Sequence, residues 1–148
     1  MVNLSAPDFT QHPPRSTRIR LGGYIHLPRL LDKARANHAA KLGEYHWNCP
    51  LDKRFFDFTG INEAAFLAEI KPGKSDVEML AWVSSQTKHQ PYEIAAWSTW
   101  TEQNGPGSAP GHEWAASTLK GAGSARDDIR SFADLLDLDD YVSYGGKG

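Results

Sequence analysis

The 148-residue chain contains a single cysteine, Cys49. One thiol excludes a disulfide framework within the chain, and it also excludes an all-cysteine zinc or iron–sulfur site. The sequence has no run of the roughly 20 apolar residues that a membrane-spanning helix requires. Its first residues, MVNLSAPDFTQHPPR, lack the basic and apolar segments of a signal peptide. We therefore expect a cytoplasmic protein.

The chain also has little net charge, because 16 Lys and Arg residues face 18 Asp and Glu residues, for a formal charge of −2. This value argues against general binding to nucleic acids or to membranes. A chain of this length buries roughly 68–70% of its unfolded surface, so it can form a core without disulfides. We predict one domain over residues 1–148, monomeric or homodimeric, with a small-molecule ligand.

The charges are unevenly distributed. Residues 1–42 contain seven Lys and Arg residues and two Asp residues, whereas residues 126–140 contain six Asp residues and two Arg residues. In one interpretation the basic start and the acidic end form surface ion pairs, each contributing about 0–1 kcal/mol. In the other, Arg15, Arg18 and Arg20 form a binding site for an anion.

Helical periodicity dominates the rest of the chain. Apolar residues recur at helical spacing from Leu27 to Leu42, and His38 lies on the same face. Further along, Ser75 and Glu78 have the spacing of a capping box. The predicted helices cover residues 27–42, 50–60, 62–70, 75 onward, 91–104, 112–120 and 126–138. No alternating pattern is long enough to build a sheet. We predict an all-α domain of six or seven short helices, with an irregular arm over residues 1–23 and an internal Gly- and Pro-rich loop over 105–111.

The densest group of reactive side chains lies between residues 43 and 52. If Pro50 is the first helical residue, Cys49 is the N-cap, where free N–H groups and the positive helix end stabilise a thiolate. His46 lies three residues earlier, and Asp52 falls in the first helical turn. This combination is typical of acid/base or nucleophilic catalysis. The alternative is an ordinary helix start, with Cys49 packed as a small apolar residue.

Metal and nucleotide sites have weaker support. His46 and Cys49 form only half of a zinc site. The sequence contains neither G-x-x-x-x-G-K-[ST] nor G-x-G-x-x-G, the patterns that bind nucleotide phosphates. We therefore predict no metal and no cofactor.

Two further sets of residues can each be interpreted either as structural or as ligand-binding. Arg29, Asp32 and Arg35 are spaced so that Asp32 can pair with either arginine, or an arginine can face a substrate carboxylate. The five tryptophans, Trp47 among them, either pack between helices or form an aromatic wall around a ligand.

Several stretches of the sequence form a recognisable set: Pro7-Asp8, 13–15, 21–24, 27–29, 31–35, 43–46, 49–52, 134–143 and 145–147. Together they resemble a bacterial family known as domain of unknown function 5069. The resemblance implies a single-domain, mostly helical protein and no particular reaction. It also groups the basic start, the 45–52 segment and the acidic end as parts of one unit.

Our first hypothesis is a small cofactor-independent enzyme, an isomerase, lyase, cyclase or hydrolase, that uses acid/base catalysis on an anionic or polar molecule. The second hypothesis is a non-catalytic module that binds a ligand or a protein partner, which includes a second copy of the chain. The third hypothesis is a metal or haem sensor. In the enzyme, His46 is the acid or base, and Asp52 or Asp32 orients it. The remaining candidates are Tyr45 and Cys49 in catalysis, and Arg18, Arg20, Tyr24, Arg29 and Trp47 in substrate binding.

Overall fold

The computed structural model describes residues 5–148, which form seven α-helices and one two-stranded antiparallel hairpin. This confirms the predicted all-α architecture and its number of helices. No helix in this part of the chain combines the length and the apolar character needed to cross a membrane. The elements are β1 (Arg20–Leu21), β2 (Tyr24–Ile25), α1 (Leu27–His38), α2 (Pro50–Thr59), α3 (Glu63–Ile70), α4 (Asp76–Gln86), α5 (Pro91–Gln103), α6 (Ala109–Gly121) and α7 (Phe132–Ser143).

Local capping explains where several helices begin and end. Pro50 opens α2, and Gly60 ends it in the left-handed conformation at φ 72°. At the start of α4, the Ser75 hydroxyl accepts from the Glu78 N–H, and the Glu78 carboxylate accepts from the Ser75 N–H at 2.7 Å. Both features agree with the boundaries that the sequence predicts.

Three predicted boundaries are wrong. Helix α1 ends at His38 instead of residue 42, and the exposed His38 ring lies 2.7 Å from the Leu67 carbonyl. Helix α6 begins at Ala109, so it includes the end of the predicted 105–111 loop. Helix α7 covers Phe132–Ser143 and not 126–138, because Ser131 and Asp134 form its capping box.

The arm predicted to be irregular over residues 1–23 contains the first strand and the turn of the hairpin, in which Arg20 pairs with Ile25 and Leu21 with Tyr24. Its turn, Gly22-Gly23, has positive φ at both residues, which glycine adopts without strain. A Cβ at Gly22 would lie 2.4 Å from a Leu80 methyl carbon. Part of the predicted arm, residues 1–4, lies outside the described residues.

Helix α1 lies at the centre of the fold, and every residue from Leu27 to Ala36 is buried. Its apolar side packs on the aromatic side chains of α2 and α3, chiefly Phe55 and Phe66. Its four charged side chains are buried as well, so each needs a partner from another element. These partners determine where the chain ends lie.

The acidic helix α7 packs against the basic arm. Arg18 forms ion pairs with Asp134 and, at 3.2 Å, with Asp137. The Tyr144 hydroxyl, just after the helix, donates to the carbonyl of Phe9. These contacts match the first interpretation of the charge distribution, in which the basic start and the acidic end pair with each other.

Candidate functional site

A pocket of about 520 Å³ opens between α1, the 43–49 turn, α2, α6 and α7. The start of three helices lies at its wall, because Pro50, Pro110 and Phe132 each occupy the first turn of their helix. Helix starts carry partial positive charge and favour anions nearby. The lining residues are His26, Arg29, Lys33, Glu44, Tyr45, His46, Cys49, Pro50, Leu51, Arg54, Pro110, Gly111, Trp114, Phe132, Leu136 and Asp139.

A buried ionic network forms one side of this pocket. Lys33 Nζ donates to Asp52 Oδ2 at 2.6 Å and lies 3.3 Å from Cys49 Sγ. Asp52 Oδ1 lies 2.7 Å from His26 Nε2, and the Cys49 N–H donates to Asp52 Oδ2 at 3.2 Å. One carboxylate therefore accepts from a lysine, a histidine and the N-cap of α2, and the lysine also contacts the only thiol.

His26 is held between two polar groups. It precedes α1 in the left-handed conformation at φ 70°, and its Nδ1 lies 3.1 Å from the Thr17 hydroxyl. Burial lowers the pKa of His26, and the charges of Lys33 and Arg29 add to this, although Asp52 opposes it. A neutral ring that donates from Nε2 to Asp52 and accepts at Nδ1 from Thr17 satisfies both contacts.

The same network acts on the Asp52 carboxyl, whose side chain is fully buried. Burial raises the pKa of this carboxyl, but the hydrogen bonds from His26 and Lys33, together with the positive charge of Lys33, outweigh burial and lower its pKa. Asp52 is therefore a fixed negative charge beneath the pocket at neutral pH.

Asp140 on α7 holds a second pair of pocket residues. It accepts from Arg29 Nη1 at 2.7 Å and Nη2 at 3.3 Å, and from the Tyr45 hydroxyl at 2.7 Å. The Arg29 guanidinium also lies 5.5 Å from the centre of the Tyr45 ring. Burial, the hydrogen bond to Asp140 and its charge raise the pKa of Tyr45 well above its usual value. The phenol therefore stays protonated, and its O–H donates to the Asp140 carboxylate.

The side of the pocket nearest to solvent carries three exposed side chains, Glu44, His46 and Asp139. No hydrogen bond links the His46 ring to the part of the chain that the structure describes. Partial shielding from water raises the pKa of Asp139, and the neighbouring charge of Asp140 adds to this effect. His46 and Asp139 are thus accessible groups that can exchange protons with a bound molecule.

The structure brings together half of the predicted site residues. Arg29, Tyr45, His46 and Cys49 line the pocket, and Asp52 lies directly behind Lys33 and Cys49. The expected contact between His46 and Asp52 is not formed, because Asp52 is bound by His26 and Lys33 instead.

Besides Asp52, five predicted residues do not line the pocket: Asp32, Arg18, Arg20, Tyr24 and Trp47. Asp32 accepts from Arg15 at 2.9 Å and lies 3.8 Å from Arg35. Arg18 and Arg20 are paired with carboxylates on α7 and at Glu102.

Tyr24 and Trp47 have packing contacts in place of a pocket position. Tyr24 is a core residue with an edge contact to Phe55, and Trp47 stacks on Phe66 with ring centres 6.2 Å apart. Of the tryptophans, only Trp114 lines this pocket among the described residues. The aromatic-wall interpretation therefore applies to Trp114 alone.

Sequence reasoning missed Lys33, His26, Arg54 and Asp140. A signal existed for Lys33, because it follows Arg29 by four residues and therefore lies on the same face of α1. Asp140 had no such signal, since its partners Arg29 and Tyr45 are distant in the sequence, and the rings that hold Arg54 come from α5 and α7. In the described part of the chain, no three His, Cys, Asp or Glu side chains are grouped closely enough to hold a metal ion.

Comparison with known proteins gives one match. A family model described as a domain of unknown function (DUF5069) matches residues 11–142. The match includes α1 to α6, almost all of α7 and every lining residue of the pocket. No curated protein matches the chain.

Proposed function

Since the chain belongs to the DUF5069 family, whose description assigns no activity, we propose a function from the pocket itself: a small enzyme that uses acid/base catalysis on an anionic or polar molecule. The reaction types that fit are those of isomerases, lyases, cyclases and hydrolases, in which the central step moves a proton.

The observation that carries this proposal is the position of Lys33 between the Asp52 carboxylate and the Cys49 thiol. Its side chain is only 4% exposed, yet both Lys33 and Cys49 line a cavity large enough for a small molecule. Burying a lysine and a carboxylate costs desolvation energy, which a purely structural contact recovers poorly. Buried ionisable groups at a cleft are typical of catalytic sites.

Each group has a role that follows from its access to the pocket. His46 takes up or returns the proton, because its ring is exposed and has no hydrogen bond within the described residues. Cys49 contacts the bound molecule, and the Lys33 ammonium beside it stabilises negative charge that develops there. Arg29 and Tyr45, both fixed by Asp140, orient polar groups of the substrate.

Proton transfer can be measured before the substrate is identified. The protein is incubated in D₂O with mixtures of small carboxylic acids and polar metabolites, and mass spectrometry detects deuterium incorporation or conversion. We expect at least one compound to exchange a carbon-bound proton, and His46→Gln to lower that rate by about 100-fold or more. Cys49→Ser should also lower the rate. Both variants should keep the fold intact, because neither His46 nor Cys49 belongs to a buried ion pair.

His112→Gln is the matched control, since His112 is an exposed histidine on α6 outside the pocket. It should leave the exchange rate unchanged. Equal rates for wild type, His46→Gln and Cys49→Ser would refute these roles.

A binding module without chemistry is the second candidate, and one observation favours it. The buried pocket cations are already neutralised within the protein, Lys33 by Asp52 and Arg29 by Asp140. Such a site can hold a ligand without reacting with it. Compounds that bind the pocket but show neither exchange nor conversion in any mixture would support this candidate over the enzyme.

A further inference from the structure

Arg54 differs from the other cations of the pocket because it lacks a carboxylate partner. Lys33 and Arg29 are paired with Asp52 and Asp140, at 2.6 and 2.7 Å. Within residues 5–148, Arg54 has no ion pair, although its side chain is half-buried on α2. A partly buried charge without a counter-ion is unfavourable unless other groups stabilise it.

Neutral groups hold the Arg54 side chain in a fixed position. Its guanidinium carbon lies 5.5 Å from the centre of the Trp100 ring and 5.4 Å from that of Phe132. When the Asn104 amide is oriented with its oxygen towards Arg54, which is the orientation that satisfies both groups, this oxygen accepts from Arg54 Nη1 at 2.7 Å and Nη2 at 3.1 Å. The planar guanidinium, which can bind a carboxylate through two parallel hydrogen bonds, is therefore positioned in advance, and its charge remains available.

The pocket wall beside Arg54 is apolar. The rings of Trp114 and Phe132 lie 5.8 Å apart, and Leu51 and Leu136 line the pocket with them. Trp114 is 44% exposed, so its ring is accessible to a molecule that enters the pocket. A molecule that covers this wall would bury apolar surface and gain affinity from it.

The pocket also disfavours a highly charged ligand. Glu44 and Asp139 line it, and neither has an ion pair among the described residues. Two carboxylates repel a second or third negative charge on the same molecule. A nucleotide or bisphosphate would therefore meet repulsion that a single carboxylate, held at Arg54, would avoid.

We infer that the pocket binds a monocarboxylate with an apolar body, whose carboxylate pairs with Arg54 and whose body covers Trp114, Phe132 and Leu136. This inference rests on the proposed function, since it names the substrate class of the same pocket. Arg54 follows Cys49 by five residues, which is about 7.5 Å along the axis of α2. The carboxylate and the reacting part of the molecule are thus at different ends.

The test compares 4-phenylbutyrate with its neutral amide, 4-phenylbutanamide, by calorimetry or ligand-observed NMR on the full chain. We expect the wild-type protein to bind the carboxylate about tenfold more tightly than the amide. Arg54→Gln should abolish this preference, whereas Lys53→Gln should retain it. Lys53 is an exposed cation on the same helix, so the two variants lose the same charge.

Two further measurements separate the anionic and apolar contributions. Trp114→Leu should weaken binding of both compounds and leave the preference unchanged. Pyrophosphate should fail to displace 4-phenylbutyrate. The inference is overturned if neither compound binds up to about 10 mM, if the amide binds as tightly as the carboxylate, if Arg54→Gln retains the preference, or if pyrophosphate competes.

These outcomes are independent of the proton-exchange test. If Arg54→Gln abolishes the carboxylate preference but His46→Gln changes no rate, the ligand class stands and the enzyme fails. If exchange depends on His46 and Cys49 while the preference is absent, the enzyme stands and the ligand class fails. Thermal unfolding of Arg54→Gln, followed by circular dichroism, verifies that this variant is still folded when it loses the preference for the carboxylate.

Discussion

Lys33 Nζ lies 2.6 Å from Asp52 Oδ2, and the two side chains are 4% and 0% exposed. This ion pair joins the central helix α1 to the first turn of α2. A buried pair gains little net stability, because the cost of desolvation offsets the attraction. Its two partners nevertheless depend on each other, since removing either one leaves an uncompensated charge in the interior.

Asp52→Ala should therefore be strongly destabilising. The substitution leaves the Lys33 ammonium buried without a partner, and the His26 ring and the Cys49 N–H lose their acceptor. We expect the free energy of unfolding to fall by about 3–5 kcal/mol. Urea titration followed by circular dichroism measures it.

Asp57→Ala provides the control, because Asp57 is an exposed carboxylate on the same helix. Its cost should stay within about 0.5 kcal/mol. Similar losses in the two variants would show that the buried network does not stabilise the fold in the way its geometry indicates.

The pKa of His26 predicts a loss of stability on mild acidification. Burial lowers the pKa of His26 in the folded protein below the ordinary value of 6.5. As the pH falls below 6.5, the unfolded chain takes up a proton at His26 that the folded chain does not bind. The unfolded state is thereby favoured, by at most about 1.4 kcal/mol per pH unit for one group.

His26→Asn should reduce this slope of unfolding free energy against pH between pH 6.5 and 5. Asn tolerates the left-handed conformation of position 26 and is a favoured N-cap, so the start of α1 is retained. Lys53→Gln, which changes an exposed charge on α2, should keep the wild-type slope. A slope that survives the loss of His26 would assign the acid sensitivity to other groups.

The fold was predictable where local rules act alone. Pro50, Gly60 and the Ser75 capping box determine helix ends through contacts within a few residues. The start of α7 was not predictable in this way, because two pairs, Ser124 with Asp127 and Ser131 with Asp134, have the spacing of a capping box. Only the second pair caps a helix.

The site was predictable to a smaller extent. The residues of the 43–52 segment lie close together because they are neighbours in the sequence. Asp140, by contrast, binds Arg29 and Tyr45 across 111 and 95 residues, and no periodicity reports such a contact. Polar positions on α1 also suggest a solvated face, whereas partners from α2 and α7 bury Arg29 and Lys33.

Two of the three arginines that the sequence predicts to bind substrate, Arg29 and Arg18, should differ sharply in their effect on stability. Arg29 is buried with Asp140, with side chains 3% and 9% exposed, whereas Arg18 is about one-third exposed where it meets Asp134 and Asp137. We expect Arg29→Gln to lower the free energy of unfolding by about 3–5 kcal/mol and Arg18→Gln by about 1 kcal/mol or less.

The two costs should also respond differently to salt. In 1 M NaCl, where the Debye length is about 3 Å, the cost of Arg18→Gln should nearly vanish. The cost of Arg29→Gln should persist, because water and ions do not reach the buried Arg29–Asp140 pair. Urea titrations of both variants at low and high salt measure the difference. Equal costs, or a cost of Arg29→Gln that disappears in salt, would contradict a buried Arg29–Asp140 pair and with it the contact that holds α7 against the pocket.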